Sequence, residues 1–360
     1  MQTPGVDRPV DIGTIRPRRL RLSASTVCSL RCPACPNPSG EIAKSLGAGY
    51  LRAADLRGLL EANPWVREIE ISGLGEPFLN PEMPAILEEA SRRGVALTAD
   101  NGTTFNEMSK EVLHALVKHR LRRITCSIDG ASQASYSIYR IGGDFGRVIE
   151  NVRRVNALKS QLGSRYPRLT WQFVVFSHNE HEIPLARRMA AELGMDFRLK
   201  ESWAPELSPV QEDRSAAAQH AGGGTYRPEL KRTDPDRAGR VFCHQLWEEP
   251  QVNWDGRILG CCCNYQGDFG GNAFSDGLLA ALNSPSLRYA RAMLLGRVAP
   301  REGIPCTGCG VFRSMQVDGQ YLKRGAARLA FRAARFAYYE LGLRRVRQLI
   351  RASEREASGS

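Results

Sequence analysis

The chain has 360 residues, 42% of them hydrophobic and 24% charged, which excludes a wholly disordered protein and allows a core split between two compact units. The formal charge is +12, but eleven Lys/Arg against four Asp/Glu fall between Arg313 and the C-terminus, so more than half the excess sits in a tail and nucleic acid is not expected as the partner of the body. No apolar run approaches a membrane span or a signal peptide, so the ten cysteines are expected in reducing cytoplasm, where clustered cysteines mean metal or redox chemistry more often than disulfides.

Residues 1–17 are polar and read as a lead-in without structure. Arg18–Ser23 is a first strand with Leu20 and Leu22 on one face. It delivers the chain to Thr26-Val27-Cys28-Ser29-Leu30-Arg31-Cys32-Pro33-Ala34-Cys35-Pro36. Three thiols spaced by three and then two residues, with no fourth Cys, His or Asp nearby, can surround a metal centre and leave one position unfilled. A structural zinc site closes that position. An iron–sulfur cubane with one iron free for a substrate uses it. On residue type alone, a redox pair or half of a zinc site stays open.

A helix over residues 53–62 and a strand over Val66–Ile71 follow. The strand ends in Ser72-Gly73-Leu74-Gly75-Glu76-Pro77-Phe78-Leu79-Asn80, where Gly73 and Gly75 let the backbone pass close to a ligand and Glu76 is placed to accept from an ammonium group. Then come a helix from Pro81 to Arg93, a strand Val95–Ala99 ending in Asp100-Asn101-Gly102-Thr103, a helix Lys110–His119, and a strand Arg123–Ile128 ending in Asp129-Gly130. Repeated strand–helix alternation predicts a parallel sheet closed or nearly closed into a barrel, with its chemistry at the C-terminal strand ends. Cys35, Glu76, Asn101, Ser127 and Asp129 all fall there, whereas Cys126, mid-strand, reads as a small buried hydrophobe.

Beyond Asp129 the notable residues are Tyr136, Tyr139-Arg140, Gly142-Gly143, Phe145 and Val148-Ile149-Glu150-Asn151. Arg140 offers a planar fork suited to a carboxylate. A helix Arg147–Leu162 leads to a buried strand Leu169–Phe176. In His178-Asn179-Glu180-His181-Glu182 the pattern favours a capping box, with Asn179 as N-cap and Glu182 closing it, over a metal cluster. The sixth strand, Phe197–Glu201, offers Lys200 and Glu201 to a substrate in the barrel mouth. The composition changes after residue 201, and 206–240 reads as a linker or lid around Gly222-Gly223-Gly224.

Cys243 precedes a hairpin signal at Asp255-Gly256 that would bring Cys243 and Cys261 towards each other. Cys261-Cys262-Cys263 follows, and Cys306-Thr307-Gly308-Cys309 supplies a compact pair. By geometry alone four thiolates suit zinc. The tail, 313–360, is helical by composition, with Leu322, Leu329, Phe336, Leu343 and Ile350 seven residues apart; it suits packing on the barrel or pairing into an oligomer, with contact to an anionic membrane the weaker option.

The cysteine loop, the Gly75-Glu76-Pro77 segment and the Ser127–Asn151 stretch together resemble the radical S-adenosylmethionine (radical SAM) enzymes of the SPASM/twitch branch. The resemblance implies an α/β fold: a partial (β/α)6 TIM-like barrel over residues 18–205, then a small twitch-type iron–sulfur domain over 241–312. It implies a [4Fe–4S] cluster on Cys28, Cys32 and Cys35 that binds S-adenosylmethionine, with Gly73, Gly75, Glu76, Asn101, Ser127, Asp129 and Arg140 around that cosubstrate. An auxiliary [4Fe–4S] cluster falls to Cys243, Cys261, Cys306 and Cys309, at a spacing similar to that of the radical SAM 2-deoxy-scyllo-inosamine dehydrogenases. Cys262 and Cys263 are left as candidate hydrogen-atom donors. The implied activity is radical oxidation or epimerisation of a sugar, aminocyclitol or related metabolite, with a flavodoxin- or ferredoxin-type reductant as partner. Maturation of a ribosomal peptide and RNA modification are the alternatives.

Overall fold

The structure, a computed structural model, describes residues 12–202, 243–262, 264–265, 267–317, 319 and 321–322. Most of the lead-in, the 206–240 segment, Cys263 and the tail beyond residue 322 lie outside the described residues.

Six strands run parallel in chain order: β1 (Arg19–Leu22), β2 (Glu68–Glu70), β3 (Ala96–Thr103), β4 (Arg123–Ser127), β5 (Arg168–Val175) and β6 (Asp196–Glu201). Between them lie α1 (Glu41–Leu46), α2 (Ala53–Ala62), α3 (Met83–Arg92), α4 (Lys110–Lys118), α5 (Gln133–Tyr139), α6 (Phe145–Gln161) and α7 (Ile183–Glu192). The sheet does not end at β1. β7 (Gln251–Val252) pairs parallel with its free edge, and β8 (Ile258–Gly260) pairs antiparallel with β7, so the order is β6-β5-β4-β3-β2-β1-β7-β8. The result is an open partial barrel extended by a later hairpin. The described C-terminal part adds α8 (Gln245–Glu248), α9 (Leu278–Leu282), α10 (Pro285–Leu294) and α11 (Gly310–Val317).

Strand alternation sorts the side chains by chemistry. Leu20, Leu22, Ile69, Leu97, Ile124, Cys126, Leu169 and Trp171 are buried in one core with helix residues such as Ile86, Leu116 and Val152. Cys126 is fully buried there, as a small hydrophobe. The other face is charged. Arg19 pairs with Glu68 at 3.0 Å and with Glu249 at 2.9 Å, and Arg123 pairs with Glu68 and Asp100, each at 2.9 Å. Glu70, fully buried, accepts from Thr98 Oγ1 at 2.6 Å and from the amides of Ser72 and Asp100; burial pushes its carboxyl upward. Removing one partner from such a buried network costs about 3–5 kcal/mol, because it strands a charge.

Two expectations need correction. The Val95–Ala99 strand continues to Thr103, because the amides of Asp100 and Asn101 find an acceptor in Glu70. The capping box does not form. Asn179, fully buried, donates to the carbonyls of Asp129 and Val174 (3.0 Å each) and accepts from Phe176 N, and Glu182 accepts from Ala131 N and Ser132 Oγ. Both side chains thus tie β4 and β5 to the α7 approach, which a local capping rule could not foresee.

Candidate functional site

The cysteine loop leaves β1 and is held by its neighbours at several points. Glu76 N–H donates to Val27 O at 2.8 Å and Arg31 N–H to Ile141 O at 2.9 Å. Asn37 Nδ2 donates to Thr26 O at 2.7 Å and Leu74 O at 3.0 Å. These bonds bring three sequence-predicted stretches, around Cys28, Glu76 and Arg140, into one site. Cys32 and Cys35 weigh electrostatically on Cys28, and Cys32 on Cys35. Burial, above all, pushes the Cys28 thiol up to about 12, with Glu76 and the other two thiols adding to it.

Gly75 explains the tightness of the join. A Cβ there would meet the carbonyl carbon of Thr26 at 2.6 Å and Ser25 O at 2.7 Å, and one on Gly73 would meet Ser23 Oγ at 2.6 Å. Both glycines therefore let the exit of β2 pass close against the exit of β1.

Glu76 is 2% exposed. Its carboxylate accepts from the amides of Thr104 and Phe78, yet burial pushes it up to about 7. An ammonium group arriving there would restore its charge. Asp129, fully buried, accepts from Arg140 Nε at 2.6 Å and Val174 N at 2.7 Å. Asp129 therefore aims Arg140, whose Nη1 lies 3.6 Å from Cys32 Sγ. Burial opposes the charge of Arg140, but Asp129 and Cys32 outweigh it and hold the guanidinium above its ordinary value. Ser127 Oγ, at the end of β4, is 3.5 Å from Gln172 Nε2. Asn101 N–H donates to Ser72 Oγ at 3.0 Å. With Gly73, Asn101 borders a cavity at the strand ends that Ser23, Gln251, Cys261 and Cys262 also line. Lys200 and Glu201 lie on β6 opposite Val174 and Val175, and the Glu201 side chain is outside the description.

The later cysteines form a second group. Cys243 precedes α8, Cys306 lies in the short turn Pro305–Gly308, and Cys309 follows it. Burial pushes Cys243 up to about 11 and Cys306 to about 12, and each is raised further by neighbouring thiols, Cys309 among them. The hairpin also caps the helix that follows the first cysteine loop. Leu46 O, at the end of α1, accepts from Asn253 Nδ2 at 3.0 Å, Trp254 Nε1 at 3.1 Å and Arg257 Nη2 at 2.7 Å. This joint, the charged face of the sheet and the Asp129–Arg140 pair were not anticipated. Asn253-Trp254-Asp255-Gly256-Arg257 carried the only available signal, an Arg and a Trp on a turn that needs neither.

The donor sets suit iron–sulfur clusters. Among the described residues no three His, Cys, Asp or Glu side chains converge as around a single metal ion, so the fit rests on chemistry: soft thiols, a cation beside Cys32, and a buried carboxylate beside Cys28 suited to an amine.

Residues 22–167 match the Radical SAM superfamily, so this part of the chain is a radical SAM domain, and the sheet has the radical SAM fold. The tungsten-containing aldehyde ferredoxin oxidoreductase cofactor-modifying protein of Pyrococcus furiosus is 26% identical over 199 residues, covering 53% of this chain and 53% of that protein. The chain thus spans about half the length of the curated relatives it matches. Among solved structures, Streptococcus suis SuiB bound to S-adenosylmethionine superposes with a TM-score of 0.57 at 17% identity, over 82% of this chain and 71% of SuiB. Native anSMEcpe with bound AdoMet gives 0.55 at 16% identity, over 82% and 87%. The family implies a [4Fe–4S] cluster and S-adenosylmethionine.

Proposed function

We propose that the protein is a radical SAM enzyme that abstracts hydrogen from an unactivated carbon of a small hydroxylated metabolite of the sugar or aminocyclitol type, to oxidise or epimerise it. One observation carries the radical SAM reading: the Cys28/Cys32/Cys35 loop is bonded to the Glu76 segment on one side and approached by the Asp129-aimed Arg140 on the other. Cys28, Cys32 and Cys35 would hold the first cluster, and Cys243, Cys261, Cys306 and Cys309 the second. When bound, the first supplies the electron that cleaves S-adenosylmethionine to methionine and a 5′-deoxyadenosyl radical, and the second supplies an acceptor for the electron left by substrate oxidation.

The protein's own residues do the rest. Glu76 takes the cosubstrate ammonium in a site where burial strengthens the pairing, and Arg140 offers its fork to the carboxylate. Asn101 borders the strand-end cavity, and Ser127 closes β4 beside Gln172. The metabolite reading is supported by the second thiol group, which an oxidation needs. Anaerobic reconstitution followed by S-adenosylmethionine and dithionite should release 5′-deoxyadenosine; release no greater than that of Cys28→Ala contradicts the reading. Deuterium transfer from a labelled aminocyclitol into 5′-deoxyadenosine checks the substrate class.

A further inference from the structure

On the charged face of the sheet, guanidinium groups meet carboxylates. Arg19 pairs with Glu68 and Glu249, Arg21 with Glu249 at 3.8 Å, and Arg123 with Glu68 and Asp100. Arg198, on the same face at β6, does not. Its Nη2 donates to the neutral Oε1 of Gln172, its register partner on β5, and among the described residues it meets no carboxylate. Gln172, 4% exposed, donates in turn from Nε2 to Ser127 Oγ at 3.5 Å, so Arg198 closes a polar row across β4, β5 and β6. Gly102 on β3 faces that row with a φ of +114°. A Cβ there would lie 2.7 Å from Ser127 Oγ and 3.7 Å from Gln172 Nε2, so the glycine keeps the space beside both groups open. Phe197 and its rings on the opposite face, Trp171 at 6.4 Å and Phe173 at 6.1 Å between centroids, hold β6 in the register that keeps Arg198 on the row. The row ends at Ser127, two residues before the Asp129 that aims Arg140. A guanidinium presents several N–H donors in a planar fork, and the Gln172 bond engages a single one of them. A half-buried cation beside neutral amide and hydroxyl groups gains both charge and fork contacts from an arriving anion.

We propose that Arg198 anchors the substrate through an anionic group, a carboxylate or a phosphate, beside Ser127 and Gln172 in the space that Gly102 leaves. The inference rests on the metabolite reading above and narrows it to members that carry such a group. Its test is calorimetry on the full-length, anaerobically reconstituted protein with S-adenosylmethionine bound, using glucuronate, glucose 6-phosphate and glucose as probes. The parent should bind at least one of the anions about tenfold or more tightly than glucose, and which anion it prefers separates carboxylate from phosphate. Arg198→Gln should weaken that anion about 10–100-fold, while the affinities for glucose and S-adenosylmethionine stay unchanged. A residue that only braces Gln172 would move anion and glucose together. Because Arg198→Gln can disturb the fold, Arg198→Lys is measured beside it; it keeps the charge without the fork and should still prefer the anion over glucose. Glucose bound by the parent as tightly as both anions, anion affinity unmoved by Arg198→Gln, or an equal loss for S-adenosylmethionine overturns the assignment. Deuterium transfer from a metabolite without an anionic group, at a yield that Arg198→Gln leaves unchanged, overturns this inference and spares the metabolite reading. A parent that releases no 5′-deoxyadenosine overturns the reading above and this inference with it.

Discussion

Cys28, Cys32 and Cys35 share one loop between β1 and α1, whereas the later cysteines come from a helix start, a hairpin exit and a short turn that only the fold brings together. The first centre is local in its thiols and non-local in its second layer: the groups that complete it, Glu76 and Arg140, arrive from β2 and from beyond β4. The second is non-local in the thiols themselves. The difference teaches where each should be fragile. A change at the first should damage chemistry, and a change near the second should damage assembly.

The largest expected effect is at the first loop. Replacing any one of Cys28, Cys32 or Cys35 by Ala should abolish 5′-deoxyadenosine release, measured by chromatography, while leaving iron at the second centre. Loss of all iron would show that the two centres do not load independently. Next, Gly75→Ala forces a methyl group against the Ser25–Thr26 backbone. It should destabilise the protein by about 1–3 kcal/mol in denaturant unfolding and lower iron at the first loop. At Asp129, the change to Asn should weaken S-adenosylmethionine binding about 10–100-fold by calorimetry, because Arg140 loses its aim while its own fork remains. A Trp254→Ala change, which removes a ring packed against Gly47 and Gly49 and a donor to Leu46 O, should cost about 2 kcal/mol and loosen the hairpin joint.

How much of this was legible in the sequence follows from the same contrast. The thiol triplet, the strand–helix alternation and the strand-end position of Glu76 are local patterns, and the fold bears out the alternation. Arg19, Glu68, Asp100 and Arg123 were legible only as the polar half of each alternation, because nothing in a single strand says that its charges will meet those of the next. The capping reading of Asn179 and Glu182 failed for a similar reason: residues suited to a local turn found better partners in Asp129, Val174 and Ala131. The close approach of Gly73 and Gly75 to Ser23, Ser25 and Thr26 joins two strand exits, which no pattern within one strand shows. Lys200 was legible as part of β6.

The remaining effect concerns pH. Glu76 is raised by burial from its ordinary carboxyl value to about 7. Its contribution to stability is therefore fully present below the unfolded value and lost as pH rises through about 7. Without cosubstrate, the parent should lose up to about 3 kcal/mol of stability relative to Glu76→Gln between pH 4.5 and pH 8. With S-adenosylmethionine bound, that slope should flatten.

The most direct test of the account is the electron paramagnetic resonance spectrum of the anaerobically reconstituted, reduced protein before and after S-adenosylmethionine is added. Two overlapping cluster signals are expected, of which one shifts on addition and disappears in Cys28→Ala, while the other does neither. A protein that binds zinc without sulfide, or whose signals ignore S-adenosylmethionine, would contradict it.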